Sequence, residues 1–154
     1  MSNALHKQLF ELMNEEATVM VSLNRNADHS EPMRACIREG NYKQIWFFIS
    51  RENRIATGGK TTAQYVSCKE NVFASIVGHL EHEKDQEIIK ELYSPVIGAF
   101  FENGILDEEL RVVRLDISSL EIWKQDMSMS TKIKMLAGIT IDPEEMGEHK
   151  VIAV

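Results

Sequence analysis

Residues 44–50 read QIWFFIS, and Ile45, Trp46, Phe47, Phe48 and Ile49 are apolar in succession. Successive side chains of a strand point to opposite faces, so an unbroken apolar run requires burial from both sides. In a small antiparallel sheet one side is the core. The other has to meet something else, and a flat aromatic ligand or a partner subunit would serve.

The flanking sequence supplies the rest of a meander. Leu5, Leu9, Leu12 and Met13 recur at helical spacing and predict an amphipathic helix over 5–16, with Ser2 or Asn3 as its cap. ATVMVSLN, residues 17–24, alternates as a first strand, and a polar turn follows. EPMRACIRE, residues 31–39, sets Met33, Ala35 and Ile37 on one face and Pro32, Arg34, Cys36 and Arg38 on the other. After the aromatic strand, RENRIATGGKTT (51–62) reads as a connection, and AQYVSC and ENVFASIVGHLEH resume as strands around Lys69-Glu70-Asn71. Asp85 can cap a helix through 86–101 that Pro95 bends or breaks. ELRVVRLDI and LEIWKQD return to strand pattern. The tail from Met127 carries a short helical piece, an Asp142-Pro143 helix start and the apolar VIAV.

Helix, meander, helical insertion and closing strands describe one mainly β domain with helices (α+β), an antiparallel barrel, over residues 1–154. Residues 127–154 form an extension that packs on the barrel or on a partner subunit. The net charge of -7 argues against nucleic acid or an anionic membrane as partner. Cys36 and Cys68 lack disulfide or metal spacing and suit a reducing compartment. No apolar run approaches the roughly 18 residues of a membrane span, and the N-terminus lacks a secretory apolar region, so a cytoplasmic protein is expected.

The Gly58-Gly59-Lys60-Thr61 run invites comparison with a P-loop. That motif needs a glycine six positions before its lysine, where this chain has Arg54. The same stretch can still cradle a single phosphate: Arg51, Arg54 and Lys60 supply charge, and Ser50, Asn53, Thr57, Thr61 and Thr62 supply neutral hydrogen-bonding groups. A solvated loop accounts for these residue types equally well. Position favours the cradle, because it follows the doubly apolar strand and sets phosphate binding beside an apolar slot. A mononucleotide with a large planar ring, such as flavin mononucleotide (FMN), suits both features. His79 and His82 have the look of metal ligands, but positions three apart on a strand face opposite ways, so no metal site is expected. No nucleophile elbow is present, and no catalytic residue can be named. The Met-rich stretch DMSMSTKIKM reads as packing against the barrel or a neighbouring subunit.

Taken together, EPMRA, IWFFISRENRIATGGKTTAQYVSCKENVFASIVG, EKDQEIIKELYSPVIGAFF and LRVVRLDISSLEIW resemble the pyridoxamine 5'-phosphate oxidase-like FMN-binding split barrels, in their general stress protein branch. The resemblance spans roughly residues 5–135. It implies a six-stranded antiparallel split β-barrel and a homodimer with FMN in clefts between subunits. It further implies that Ser50, Arg51, Asn53, Arg54, Lys60 and Thr61 hold the phosphate, that Pro32, Met33 and Arg34 line the ring, and that Trp123 lies near the ring or the dimer seam. The implied activity is that of a flavin-dependent oxidoreductase drawing electrons from NAD(P)H, with no acceptor specified. The alternative is a non-catalytic module that binds or senses flavin or another cofactor. Many relatives carry Ser-x-Lys after the aromatic strand, where this chain has NRIATGGK. True pyridoxamine phosphate oxidases end in an Arg-containing substrate segment, where this chain has GEHKVIAV, so vitamin B6 oxidation is not implied.

Overall fold

The computed structural model describes residues 4–25, 29–126 and 128–154. The cap expected at Ser2 or Asn3 and part of the first turn lie outside them. Helix α1 (Ala4–Glu15) is followed by strands β1 (Thr18–Leu23), β2 (Glu31–Arg34), β3 (Gln44–Ser50), β4 (Gly59–Ser67) and β5 (Val72–His82). Helices α2 (Gln86–Leu92) and α3 (Pro95–Gly98) intervene before the long strand β6 (Leu110–Lys124). Helix α4 (Met129–Leu136) and strand β7 (Glu148–Ala153) complete the chain. Among the described residues no helix is long and apolar enough to cross a membrane.

All strand pairings are antiparallel, in the order β2-β1-β4-β5-β6-β3. The two ends of this ribbon meet at one bridge, where Cys36 and Trp46 exchange both backbone hydrogen bonds, at 2.8 and 2.9 Å. The sheet is therefore a nearly closed barrel, and the split barrel expected from the sequence is what forms. Beyond the six expected strands, β7 pairs with the second half of β6, on the edge that β3 occupies along the first half. The changeover lies at Ser118, an extra residue that β5 skips between its Val77–Ser119 and Gly78–Ile117 partners. Gly78 permits this crowding, because a Cβ there would overlap the Asp116 carbonyl.

Three sequence expectations need correction. The two closing strands are one continuous β6, because both halves find partners on the same edge. Gly59 to Thr62 already belong to β4 instead of the preceding connection. The second strand ends at Arg34, after which Cys36 alone bridges β3. Pro95 does break the helical insertion, and the Asp85 carboxylate does cap α2 by accepting the Glu87 N–H at 3.0 Å.

The aromatic strand is buried on both faces, as its composition demands. Ile45, Phe47 and Ile49 join the barrel core, which α1 covers with Leu5, Leu9, Phe10 and Met13. Trp46 faces outward yet is fully buried, packed with Ile89 of α2 and Val112 of β6. Most of that outer face is thus covered by the chain's own helical insertion, not by the ligand or partner that the sequence suggested. The Trp46 Nε1–H donates to the buried Glu83 carboxylate at 3.0 Å. Arg114 donates to the other Glu83 oxygen at 2.9 Å and to both oxygens of Asp116 at 2.8 and 3.1 Å. Burial raises the Asp116 carboxyl, but the bonds from Arg114 and Gln44 outweigh that effect and hold it below the usual carboxylate range.

Replacing Arg114 by methionine strands the Glu83 charge, so urea denaturation should show a loss of about 3 kcal/mol, and an unchanged midpoint would refute the network's role. Asp116 has a folded-state pKa below its unfolded one. Its contribution is present above the unfolded value and disappears as pH falls through the folded value. Asp116→Asn should accordingly flatten the fall in stability below about pH 4.

Candidate functional site

Beyond the Cys36–Trp46 bridge, continued antiparallel register would set Arg34 opposite Phe48 and Pro32 opposite Ser50. No ladder forms there. The strands part instead, and the gap is a groove of about 480 Å³. One wall comes from Glu31 to Arg34 and Cys36, the other from Phe48, Ile49, Ser50 and Asn53. Val96 and Ile97 of α3, with Phe100 and Phe101 after it, form the third side. The groove thus brings together five residues singled out in the sequence: Pro32, Met33, Arg34, Ser50 and Asn53.

Tight turns after β3 orient the polar end. The Asn53 N–H donates to the Ser50 carbonyl at 2.9 Å, and the Asn53 side-chain oxygen accepts the Ile55 N–H at 3.0 Å. The Ser50 hydroxyl oxygen accepts the Glu52 N–H at 3.2 Å, which leaves its own O–H to donate. The connection then returns under β5, where Gly58, at φ +72°, lies against the Leu80 carbonyl with no room for a Cβ.

The three cations of the expected cradle, and Arg34 of the expected ring wall, differ in their engagements. Arg51 pairs with Glu109 at 3.2 Å. Arg54 donates to the His29 carbonyl at 3.0 Å and pairs with Glu31 at 3.5 Å. Arg34 and Lys60 form no side-chain hydrogen bond or ion pair with a described residue. Of these four, Arg34 alone lines the groove. Lys60 lies on the exposed side of β4 opposite His79, and Thr61 is fully buried with its hydroxyl on the Gly59 carbonyl. Trp123 lies far along β6, stacked on His149 of β7 at 4.9 Å between ring centroids.

Sequence reasoning anticipated Phe48 through its aromatic strand but missed Phe100, Phe101 and Glu31 as wall residues. Phe100 is 79% exposed, and an exposed aromatic side chain at the lip of an apolar groove invites a planar partner. One Glu31 oxygen is buried with no hydrogen-bond partner among the described residues. A larger cavity, about 900 Å³, opens at the split between α1, the turn before β3 and the end of β7. His6 there donates its Nε2–H to the Tyr42 carbonyl at 2.7 Å, and its pKa is lowered by burial against the raising effect of that bond. None of the ten expected site residues lines that cavity.

The groove fits a planar ring with an anionic tail. Its volume lies within the ~300–1,000 Å³ usual for ligand pockets. Met33, Phe48, Ile49, Ile97 and Phe101 offer apolar contact, Ser50 and Asn53 offer neutral donors, and Arg34 offers an uncommitted positive charge. His79 and His82 diverge, the first toward Glu81 at 3.7 Å and the second onto the Ala56 carbonyl at 3.1 Å. The described residues contain no group of three or more potential metal ligands.

Comparison with known proteins agrees with this architecture. A family model described as pyridoxamine 5'-phosphate oxidase like matches residues 5–144. A general stress FMN/FAD binding protein from Xanthomonas citri is 29% identical, with a TM-score of 0.76 over 92% of this chain and 99% of that one. A candidate general stress protein 26 from Jannaschia sp. CCS1 reaches a TM-score of 0.79 at 19% identity, covering 97% and 98% of the two chains. A Clostridium acetobutylicum protein related to general stress protein 26, of the pyridoxinephosphate oxidase family, gives 0.71 at 14% identity over 100% and 97%. No curated protein matches.

Burial pushes the Cys36 thiol, which lines the groove, up to about 11 despite the nearby Arg34 charge. A thiol reagent at about pH 8 should therefore modify the exposed Cys68 well before Cys36. Mass spectrometry of partially labelled protein reads the order, and equal rates would contradict the burial.

Proposed function

The chain belongs to the pyridoxamine 5'-phosphate oxidase-like family, and from that premise we propose that it is an FMN-binding flavoprotein of the cytoplasm that works as a homodimeric oxidoreductase. The observation that carries the proposal is the groove between β2 and β3, where an aromatic wall, two neutral donors and the uncommitted Arg34 converge. The Xanthomonas citri neighbour, described as FMN/FAD binding, supports a flavin as occupant. Bound FMN would supply electron transfer from a reduced nicotinamide to an acceptor. In this reading Phe48, Phe100 and Met33 hold the ring and exclude water, Ser50 and Asn53 donate hydrogen bonds, and Arg34 compensates the phosphate charge.

Support for the dimer comes from the outer side of β1, β4, β5, β6 and β7. Met20, Val66, Val77, Trp123 and Val151 are all exposed there. A second copy laid on that side would bury them and bring Trp123 to the seam that the family resemblance implies.

A second reading, a module that binds flavin without turning over, is favoured by one feature of the groove. Its ionisable side chains are Glu31, Arg34 and Cys36, and the thiol stays protonated at neutral pH.

Titration of purified protein with FMN should quench flavin fluorescence saturably, and light scattering should give twice the chain mass. Arg34→Ala should weaken FMN by about tenfold while leaving riboflavin, which has no phosphate, almost unaffected. An equal loss for both ligands would remove Arg34 from the phosphate, and a matching Arg54→Ala/Lys60→Ala double variant then tests the basic connection. Anaerobic bleaching of the bound flavin by reduced nicotinamide dinucleotide separates the oxidoreductase from the binding module.

A further inference from the structure

Two arginines three positions apart on β6 meet opposite fates. Arg114 is surrounded by carboxylates, with Asp116, Glu83 and Glu81 at 2.8, 2.9 and 3.4 Å. Arg111 is half-buried, and among the described residues it has no ion pair and its buried Nε–H has no hydrogen-bond partner. The chain carries 24 acidic residues against 17 lysines and arginines, so an arginine without a carboxylate runs against its composition. A buried cationic donor without an acceptor is costly to keep.

Arg111 lines a cavity of about 270 Å³, and the other basic groups on its wall are His82 and Lys84. Lys84 forms no ion pair with a described residue, and His82 is anchored by Nε2 on the Ala56 carbonyl at 3.1 Å. Glu83 is the acidic residue on the wall, and both of its oxygens are occupied, by the Trp46 indole and by Arg114. Gln86 adds a neutral donor, and Ile89, Leu110 and Val112 make an apolar floor.

We propose that this cavity is a second anion site, separate from the groove, that takes a tetrahedral oxyanion: inorganic phosphate or the phosphoryl group of a small ester. The cavity shares no lining residue with the groove. Its volume lies below the ~300 Å³ at which drug-sized pockets begin, which suits one phosphoryl group better than a whole nucleotide. The planar guanidinium of Arg111 provides paired donors matched to such a group, and Lys84 adds a mobile charge at the mouth.

The test is nitrogen–proton correlation NMR of the full chain, with and without FMN, following the arginine Nε–H resonances during titration with inorganic phosphate, ribose 5-phosphate and acetate. The readout is independent of whether flavin binds. A saturable shift of the Arg111 Nε–H with phosphate, weaker with acetate, supports the site. A matching response to ribose 5-phosphate identifies a phosphoryl-ester site, and its absence identifies a site for the free anion. Lys84→Ala, at an exposed position, should weaken phosphate about tenfold, and Arg111→Lys should weaken it further. No saturable shift, an equal response to acetate, or unchanged affinity in Lys84→Ala would overturn the proposal. The Lys84 variant keeps the test decisive even where Arg111→Lys fails to fold.

Discussion

Two backbone hydrogen bonds, exchanged between Cys36 and Trp46, join the ends of an open ribbon of strands. The candidate groove is arranged around that single bridge. On one side of it β3 runs on against β6 and is sealed by α2, with the Trp46 indole tied to Glu83. On the other side β2 and β3 separate, and the unsatisfied space between them is the groove. A full ladder between β2 and β3 would close the barrel more completely and would leave no slot. The partial closure therefore exchanges backbone pairing for an open groove.

The sequence announced this arrangement unevenly. QIWFFIS stated its own double burial, and the alternation in β1, β4 and β5 marked strands with a single core face. The period-2 and period-3.6 signals were strong because they arise from local geometry. What sequence alone could not say was which element would cover Trp46, since that depends on the chain returning through α2 some forty residues later. The continuity of β6 was hidden for a similar reason. Ser118-Ser119 look like a polar break, yet they mark only a bulge where one partner strand hands over to another.

The site was half legible. Ser50 and Asn53 could be placed together because a strand end and its following turn stay close whatever the tertiary details, whereas Pro32, Met33 and Arg34 joined them through the family resemblance. Lys60 and Thr61 attracted attention through their glycine neighbours, but those glycines serve a close passage beneath Leu80 and the entry into β4. Phe100 and Phe101 end the helical pattern as ordinary hydrophobics, and only the placement of α3 beside the gap makes them part of its wall. Charge was harder still. Residue types show that Arg51, Arg54, Arg111 and Arg114 are cations, but only the fold shows that three of them pair with Glu109, Glu31 and Glu83 while Arg111 has no carboxylate partner among the described residues.

The handover at Ser118 also divides the molecule mechanically. Strand β7 touches the sheet along one edge, after the bulge, and its residues are mostly exposed. Peeling it away breaks no hydrogen bond of β3, α2 or the Cys36–Trp46 closure. Thermal opening can then proceed in stages, with backbone amides of 148–153 trading protons with solvent while those shared by β5 and β6 remain sealed until the whole barrel melts.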